Sequence, residues 1–258
     1  MAEEIGHDAP GARGVPWTVG DVVKGIVLVV GVTFVIAMGL AFGTVLLVGL
    51  EPLVGQGATH MRGLLEVLSA RGLLTPWLLL LLVGAVMGEV AMPVSAWLFS
   101  GLKYRVGWRA LGFRPFKVTK GLMLAGVVVV AGLVISVLND MLLGWLGMEA
   151  PTGWPAELTE SGLGLAIAAL LAIVVAPVAE EAFFRGFVLA GIGGRVGYGW
   201  GVVLSAVLFT VAHMQPLAFL PVFILGLLLG WLYVKTGSIW PCVLTHLAYN
   251  SIALAFMV

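Results

Sequence analysis

Long apolar runs, broken by short polar stretches, fill the chain from Val22 to its last residue. A helix needs about 20 apolar residues to cross a bilayer. The runs predict spans at Val22–Leu50, Leu73–Leu102, Gly121–Leu146, Gly162–Ile192, Trp200–His213, Leu217–Val234 and Ile239–Val258. Residues 1–20 are polar and contain Gly and Pro, and read as a mobile cytoplasmic tail. Residues 21–258 read as a single transmembrane domain. The first run is far longer than the roughly 7–15 apolar residues of a signal peptide, so it is expected to be retained as a span. Thr159 and Ser161 offer N-cap oxygens to the fourth span, and Gly193 with Gly194 offers it a stop. Gly226 and Gly230 form a small-xxx-small pair on the sixth span and predict a close helix contact there.

The fold class is therefore all-α: a polytopic membrane bundle of about seven, or eight, transmembrane helices. Composition agrees. Hydrophobic residues make up 61% of the 258, charged residues 10%, and mean hydropathy is +1.13. A soluble domain is nearer about 45–50% apolar and about 25% charged. Net charge is zero, which gives no footing to a nucleic-acid partner. The lone cysteine, Cys242, excludes an intramolecular disulfide and a cysteine-cluster metal site, and reads as packing. The segment after the second span holds Lys103, Arg105, Arg109, Arg114, Lys117 and Lys120 and no acid, so it is expected on the cytoplasmic side. Alternation from there places the N-terminus inside and leaves only Arg62 and Arg71 of the 13 basic residues outside. The expected location is the cell membrane, inner or plasma.

Ionisable groups inside apolar spans are costly and are kept mainly for function. Glu180 and Glu181 are adjacent in the fourth span, with Arg185 four residues after Glu181. That spacing puts Glu181 and Arg185 on one helix face, where they can pair. The pair reads equally as a structural ion pair. Glu180 is turned by about 100° from Glu181, so it needs another partner or a water, and it has the chemistry of a general base. Phe209 and His213 share a face of the fifth span, and His246 and Asn250 share a face of the seventh. A ring N–H and an amide N–H converging on one point would make an oxyanion site. Each residue alone is more simply an interhelical hydrogen bonder; the set across three helices points to catalysis. A straight span count sets His213 toward the outer end of its span and His246 near the inner end of its own, with Pro177, Pro216 and Pro221 placed to break or tilt the helices. Glu89, within the second span, has no role assigned by the sequence. No H-E-x-x-H, G-x-S-x-G or phosphate-binding glycine loop occurs, and Ser205 is eight residues from His213.

At these residues the chain resembles the CAAX-protease and bacteriocin-processing family of intramembrane proteases, also called Abi, which includes the eukaryotic Ras-converting CAAX endopeptidase. The family pattern is E-E-x-x-x-R, then F-x-x-x-H, then H-x-x-x-N. It is met by Glu180, Glu181 and Arg185, by Phe209 and His213, and by His246 and Asn250. The L-G-F-R-P stretch at Leu111–Pro115 also looks like bacterial members. The resemblance implies that the last four spans, about residues 160–258, form a catalytic core around a cavity open to the cytoplasm. It implies peptide-bond hydrolysis by a water that Glu180 activates with help from His213. His246 and Asn250 would form the oxyanion site, with Glu181, Arg185 and Phe209 in support. No cofactor is expected. A zinc enzyme is the alternative, with Glu180, His213 and His246 as its ligands. The implied partners are the lipid bilayer and a membrane-associated peptide or protein substrate. A non-catalytic immunity or scaffold protein, or a small transporter using buried carboxylates, is the alternative from another class.

Overall fold

A computed structural model describes residues 14–49, 76–148 and 162–257 of the chain. The residues expected to cap the fourth span, Thr159 and Ser161, lie outside the described residues, as do Arg62 and Arg71. The described residues form seven long helices and no strand. Helix α1 is Val19–Gly49, and α2 is Pro76–Trp97 with a π-turn at Leu98–Leu102. Helix α3 is Val118–Trp145 and α4 runs over Gly162–Val196. Helices α5, α6 and α7 are Tyr198–His213, Phe219–Thr236 and Trp240–Met257. These are the seven runs read from the sequence, with ends moved by a few residues.

Five of them, including all of α4, are long and apolar enough to cross a membrane. Helix α5 is apolar but shorter, at 16 residues. Helix α7 is diluted by Thr245, His246, Asn250 and Ser251. The outward faces carry exposed Val27, Phe34, Val134, Met141 and Val211, the side chains that suit a hydrocarbon solvent.

Residues 14–20, read from the sequence as the end of a mobile tail, are instead anchored. Trp17 is wholly buried, and its Nε1–H donates to the Phe187 carbonyl at 3.0 Å. Thr18 then caps α1 reciprocally with Asp21. The Asp21 amide donates to Thr18 Oγ1 at 3.2 Å, and Asp21 Oδ2 accepts from the Thr18 amide at 3.0 Å. Asp21 also accepts from Tyr104 Oη at 2.6 Å and pairs with Lys103. The start of α1 is thus tied to the end of α2.

The same end of the bundle is closed by the Leu111–Pro115 stretch. Gly112 takes φ +91°, which glycine adopts without strain, and its carbonyl accepts from the Ile239 amide at 2.9 Å. Ser238 Oγ donates to the Arg114 carbonyl at 2.6 Å. The basic segment therefore sits beside the turn between α6 and α7, as the alternation of spans requires. At the opposite end Asn139 of α3 is buried and donates to the Leu217 carbonyl at 3.1 Å.

The core is aromatic around α4. Trp17, Phe183, Phe184, Phe187 and Phe209 pack together, with Phe184 and Phe209 edge to face at 5.2 Å between centroids. Gly226 and Gly230 are the close contact read from their spacing. A Cβ on Gly226 would meet Ala206 at 3.1 Å, and one on Gly230 would meet Val202 at 3.0 Å. Cys242 is buried and free, with its thiol toward the Leu229 carbonyl at 3.3 Å, in keeping with a packing role.

Candidate active site

Helix α4 is not a regular α-helix where the glutamates lie. It carries π-turns at Leu171–Val175 and Glu181–Leu189, on either side of the short α stretch Ala176–Glu180. The first has a local cause. Pro177 has no N–H, and its ring clashes with the carbonyl four residues back in an α-helix; a wider turn relieves that clash. Ser205 of α5 steadies the second by donating Oγ–H to the Phe184 carbonyl at 2.8 Å. Such wide turns are frequent where a helix presents functional groups.

Glu181 and Arg185 form the ion pair their spacing allows. Arg185 Nη1 donates to Glu181 Oε1 at 2.8 Å, and both side chains are fully buried. Arg185 Nη2 donates to the Gly226 carbonyl at 3.3 Å, and its guanidinium lies over the Phe209 ring at 4.4 Å. Glycine at 226 lets α5 and α6 approach closely at the carbonyl that Arg185 uses.

His246 stands between the two glutamates. Its Nδ1 is 3.0 Å from Glu181 Oε1, and its Nε2 is 3.8 Å from Glu180 Oε2. A carboxylate accepts, so the imidazole donates from Nδ1 and turns Nε2 toward Glu180. If His246 is protonated, two carboxylates, one guanidinium and one imidazolium sum to no net charge. That balance is how buried charges are tolerated.

His213 closes the α5 end. Its Nδ1 lies 2.7 Å from the Phe209 carbonyl, which only accepts, so Nδ1 carries the proton and a neutral ring keeps its Nε2 lone pair free. The half-buried ring is 4.5 Å from the Phe209 ring between centroids, and the His246 ring is 5.9 Å from the same Phe209. The two imidazoles, which a straight span count set at different depths, thus touch one aromatic side chain. Asn250 is placed otherwise than an oxyanion donor alone would be: its Nδ2 donates to the Ala172 carbonyl at 2.8 Å, leaving one amide N–H uncommitted by that bond.

The buried side-chain nitrogens and oxygens without a hydrogen-bond partner, among the described residues, are Glu89 Oε2, Glu180 Oε2, Glu181 Oε2 and Arg185 Nε. Buried polar atoms are nearly always bonded, so such a concentration marks one region of the molecule as built for something other than stability. Glu89 belongs to it. It lies on α2, which packs against the Ala176–Glu180 stretch, three residues before Met92 and seven before Ala96, which pack into the aromatic core. Its presence in an apolar span was visible in the sequence, but the element it faces was not. Among the described residues no three His, Cys, Asp or Glu side chains are grouped to hold one metal ion, the trio Glu180, His213 and His246 included.

The searches of curated proteins and of solved structures each found no match. Residues 162–252, a little over a third of the chain, match the family model described as Rce1-like, type II CAAX prenyl endopeptidase Rce1-like. That stretch runs from the start of α4 into α7 and holds Glu180, Glu181, Arg185, Phe209, His213, His246 and Asn250, so the match falls on the same residues that carry the resemblance to the CAAX-protease family and supports a CAAX-type intramembrane protease.

Proposed function

We propose that this chain is an intramembrane endopeptidase of the CAAX-processing type, with Glu180 as the base that activates water. The observation that carries the reading is the Glu180 carboxyl. It is buried in the middle of α4, and its Oε2 has no hydrogen-bond partner and faces His246 Nε2 at 3.8 Å. A carboxylate so placed has a lone pair free for a water, and beside it an imidazole that, when protonated, offers Nε2–H to the charge that develops.

In this reading Glu180 accepts a proton from water as the oxygen attacks the scissile carbonyl. The carbonyl oxygen becomes an oxyanion, stabilised by N–H donors from His246 and from the amide proton of Asn250 that Ala172 does not use. The proton held by Glu180 then passes to the departing amine as the C–N bond breaks, and Glu180 returns to its starting state. His213 serves from the other side of Phe209, with Nε2 able to orient the water or take up its proton. Glu181 and Arg185 hold His246 by its Nδ1 and leave its Nε2 toward Glu180. The reaction requires no metal ion; a zinc ion held by Glu180, His213 and His246 is the rival account. The substrate is a membrane-associated peptide or protein, approached from the side of the basic Lys103–Lys120 segment, which the positive-inside rule sets in the cytoplasm of a cell-membrane protein.

The test is cleavage by purified protein in lipid vesicles, offered farnesylated and unmodified CAAX peptides and followed by mass spectrometry. The wild type is expected to release the terminal tripeptide, and Glu180→Gln to release almost none. Equal cleavage by both proteins would sink the assignment of the base.

A further inference from the structure

We propose that Asn250 is a positioning residue whose side-chain amide replaces the backbone N–H that Pro177 lacks, and so fixes the part of α4 that carries Glu180. Within the π-turn Leu171–Val175 the Ala176 amide bonds the Leu171 carbonyl, five residues back. The next bond in that register would run from residue 177 to the Ala172 carbonyl. Residue 177 is proline, so that bond cannot form. The carbonyl it would have reached is the one that accepts from Asn250 Nδ2, at 2.8 Å. An orphaned carbonyl inside a membrane bundle has no water to turn to and needs a partner from a neighbouring helix.

The geometry has a consequence for the site. Asn250 is four residues from His246 on α7, and Pro177 is three residues from Glu180 on α4. The amide therefore locks α7 to α4 about one turn of α7 beyond His246, whose Nε2 meets Glu180 Oε2 at 3.8 Å. A π-turn freed at Ala172 would let the Glu180 side chain shift against its partner. The effect on catalysis rests on the reading of Glu180 as the base; the clamp itself does not.

A double-mutant cycle separates the two. Asn250→Ala, Pro177→Ala and the double variant are compared with wild type for detergent melting temperature and for kcat and KM on a farnesylated CAAX peptide. Asn250→Ala is expected to lower melting by a few degrees and kcat by about 10²-fold, the order that a misplacement of about 1 Å costs. Pro177→Ala restores an N–H for Ala172, so in the double variant most of the melting loss and at least half of the loss in log kcat should be recovered, with KM little changed. Asn250→Asp, which sets an acceptor against an acceptor, should melt no higher than Asn250→Ala. Additive melting losses in the double variant, or an Asn250→Asp protein as stable as wild type, would overturn the clamp. Recovered melting without recovered kcat would overturn the positioning role and leave the contact of the second amide N–H with the oxyanion as the whole catalytic task of Asn250. Recovered melting with no cleavage by any protein, wild type included, would uphold the clamp and sink the protease reading instead.

Discussion

His246 Nδ1 lies 3.0 Å from Glu181 Oε1, so the second glutamate of the pair, and not the first, orients the histidine. Glu181 Oε1 also accepts from Arg185 at 2.8 Å. One carboxylate oxygen thereby joins α7 to the two charges of α4, whereas Glu180 Oε2 makes no hydrogen bond and stands 3.8 Å from His246 Nε2. Adjacent residues of the same type thus meet different partners because they occupy different faces of α4.

That division sets the first prediction. Glu180→Gln keeps size and hydrogen bonding and removes the base, so activity should fall by about 10²–10⁴-fold with melting unchanged. Glu181→Gln leaves the fully buried Arg185 without its counter-charge, a change that costs about 3–5 kcal/mol. Its melting temperature should drop clearly along with its activity. Activity and melting measured side by side decide it, and loss of activity without loss of stability in Glu181→Gln would move the base to Glu181.

Phe209 gives the second. Its ring meets His213, His246, Phe184 and the Arg185 guanidinium. Phe209→Ala opens a cavity among all four and should cost about 3–5 kcal/mol. Phe209→Leu fills most of that space but removes the ring face under Arg185, a contact worth about 2 kcal/mol when desolvated. Thermal melting should rank wild type above the leucine variant and leucine above alanine. A leucine variant as stable as wild type would mean that the ring serves only as bulk.

Much of this was legible in the sequence, and the reasons differ by element. Each span announced itself because hydrocarbon demands a continuous apolar run. The Glu181–Arg185 pair was legible because a spacing of four residues fixes a helix face. Gly226 and Gly230 were legible as a contact because only small side chains permit one. The partners of Asn250 and His246 were not, since a helix periodicity gives the direction of a side chain and never the neighbour it meets. The bond from Asn250 to Ala172 depends on a π-turn, and the pattern of apolar residues does not distinguish a π-turn from an α-turn; Pro177 was the one local sign of it. Trp17 was misread as tail because a single aromatic residue in a polar stretch carries no period. The two imidazoles were placed at different depths because a span count assumes upright, regular helices, and their common contact with Phe209 is a property of the packed bundle.

The third prediction concerns metal. With Glu180 activating water unaided, cleavage by the purified protein should survive extensive treatment with a chelator. The measurement is residual activity after dialysis against the chelator, followed by addition of single divalent ions. Complete loss that zinc alone restores would make the enzyme a metalloprotease with Glu180, His213 and His246 at its centre.

The fourth concerns Glu89, whose Oε2 is buried with no partner on the helix that packs against the segment carrying Glu180. An unsatisfied buried polar group costs about 1–3 kcal/mol, and a residue kept at that cost in an apolar span is kept for a use. The α2 helix packs against the Ala176–Glu180 stretch, so the use would be at the site that Glu180 serves. Glu89→Leu, of similar bulk, should therefore raise the melting temperature, since it removes the unsatisfied group, and lower kcat at the same time. Glu89→Gln, which keeps an N–H donor and no acidity, should be less stable than the leucine variant and no more active. The opposing movement of stability and rate separates a functional carboxyl from an inert one: a leucine variant that gains stability and keeps full activity would show that Glu89 takes no part in the reaction, and one that loses stability would show that its carboxyl is structural.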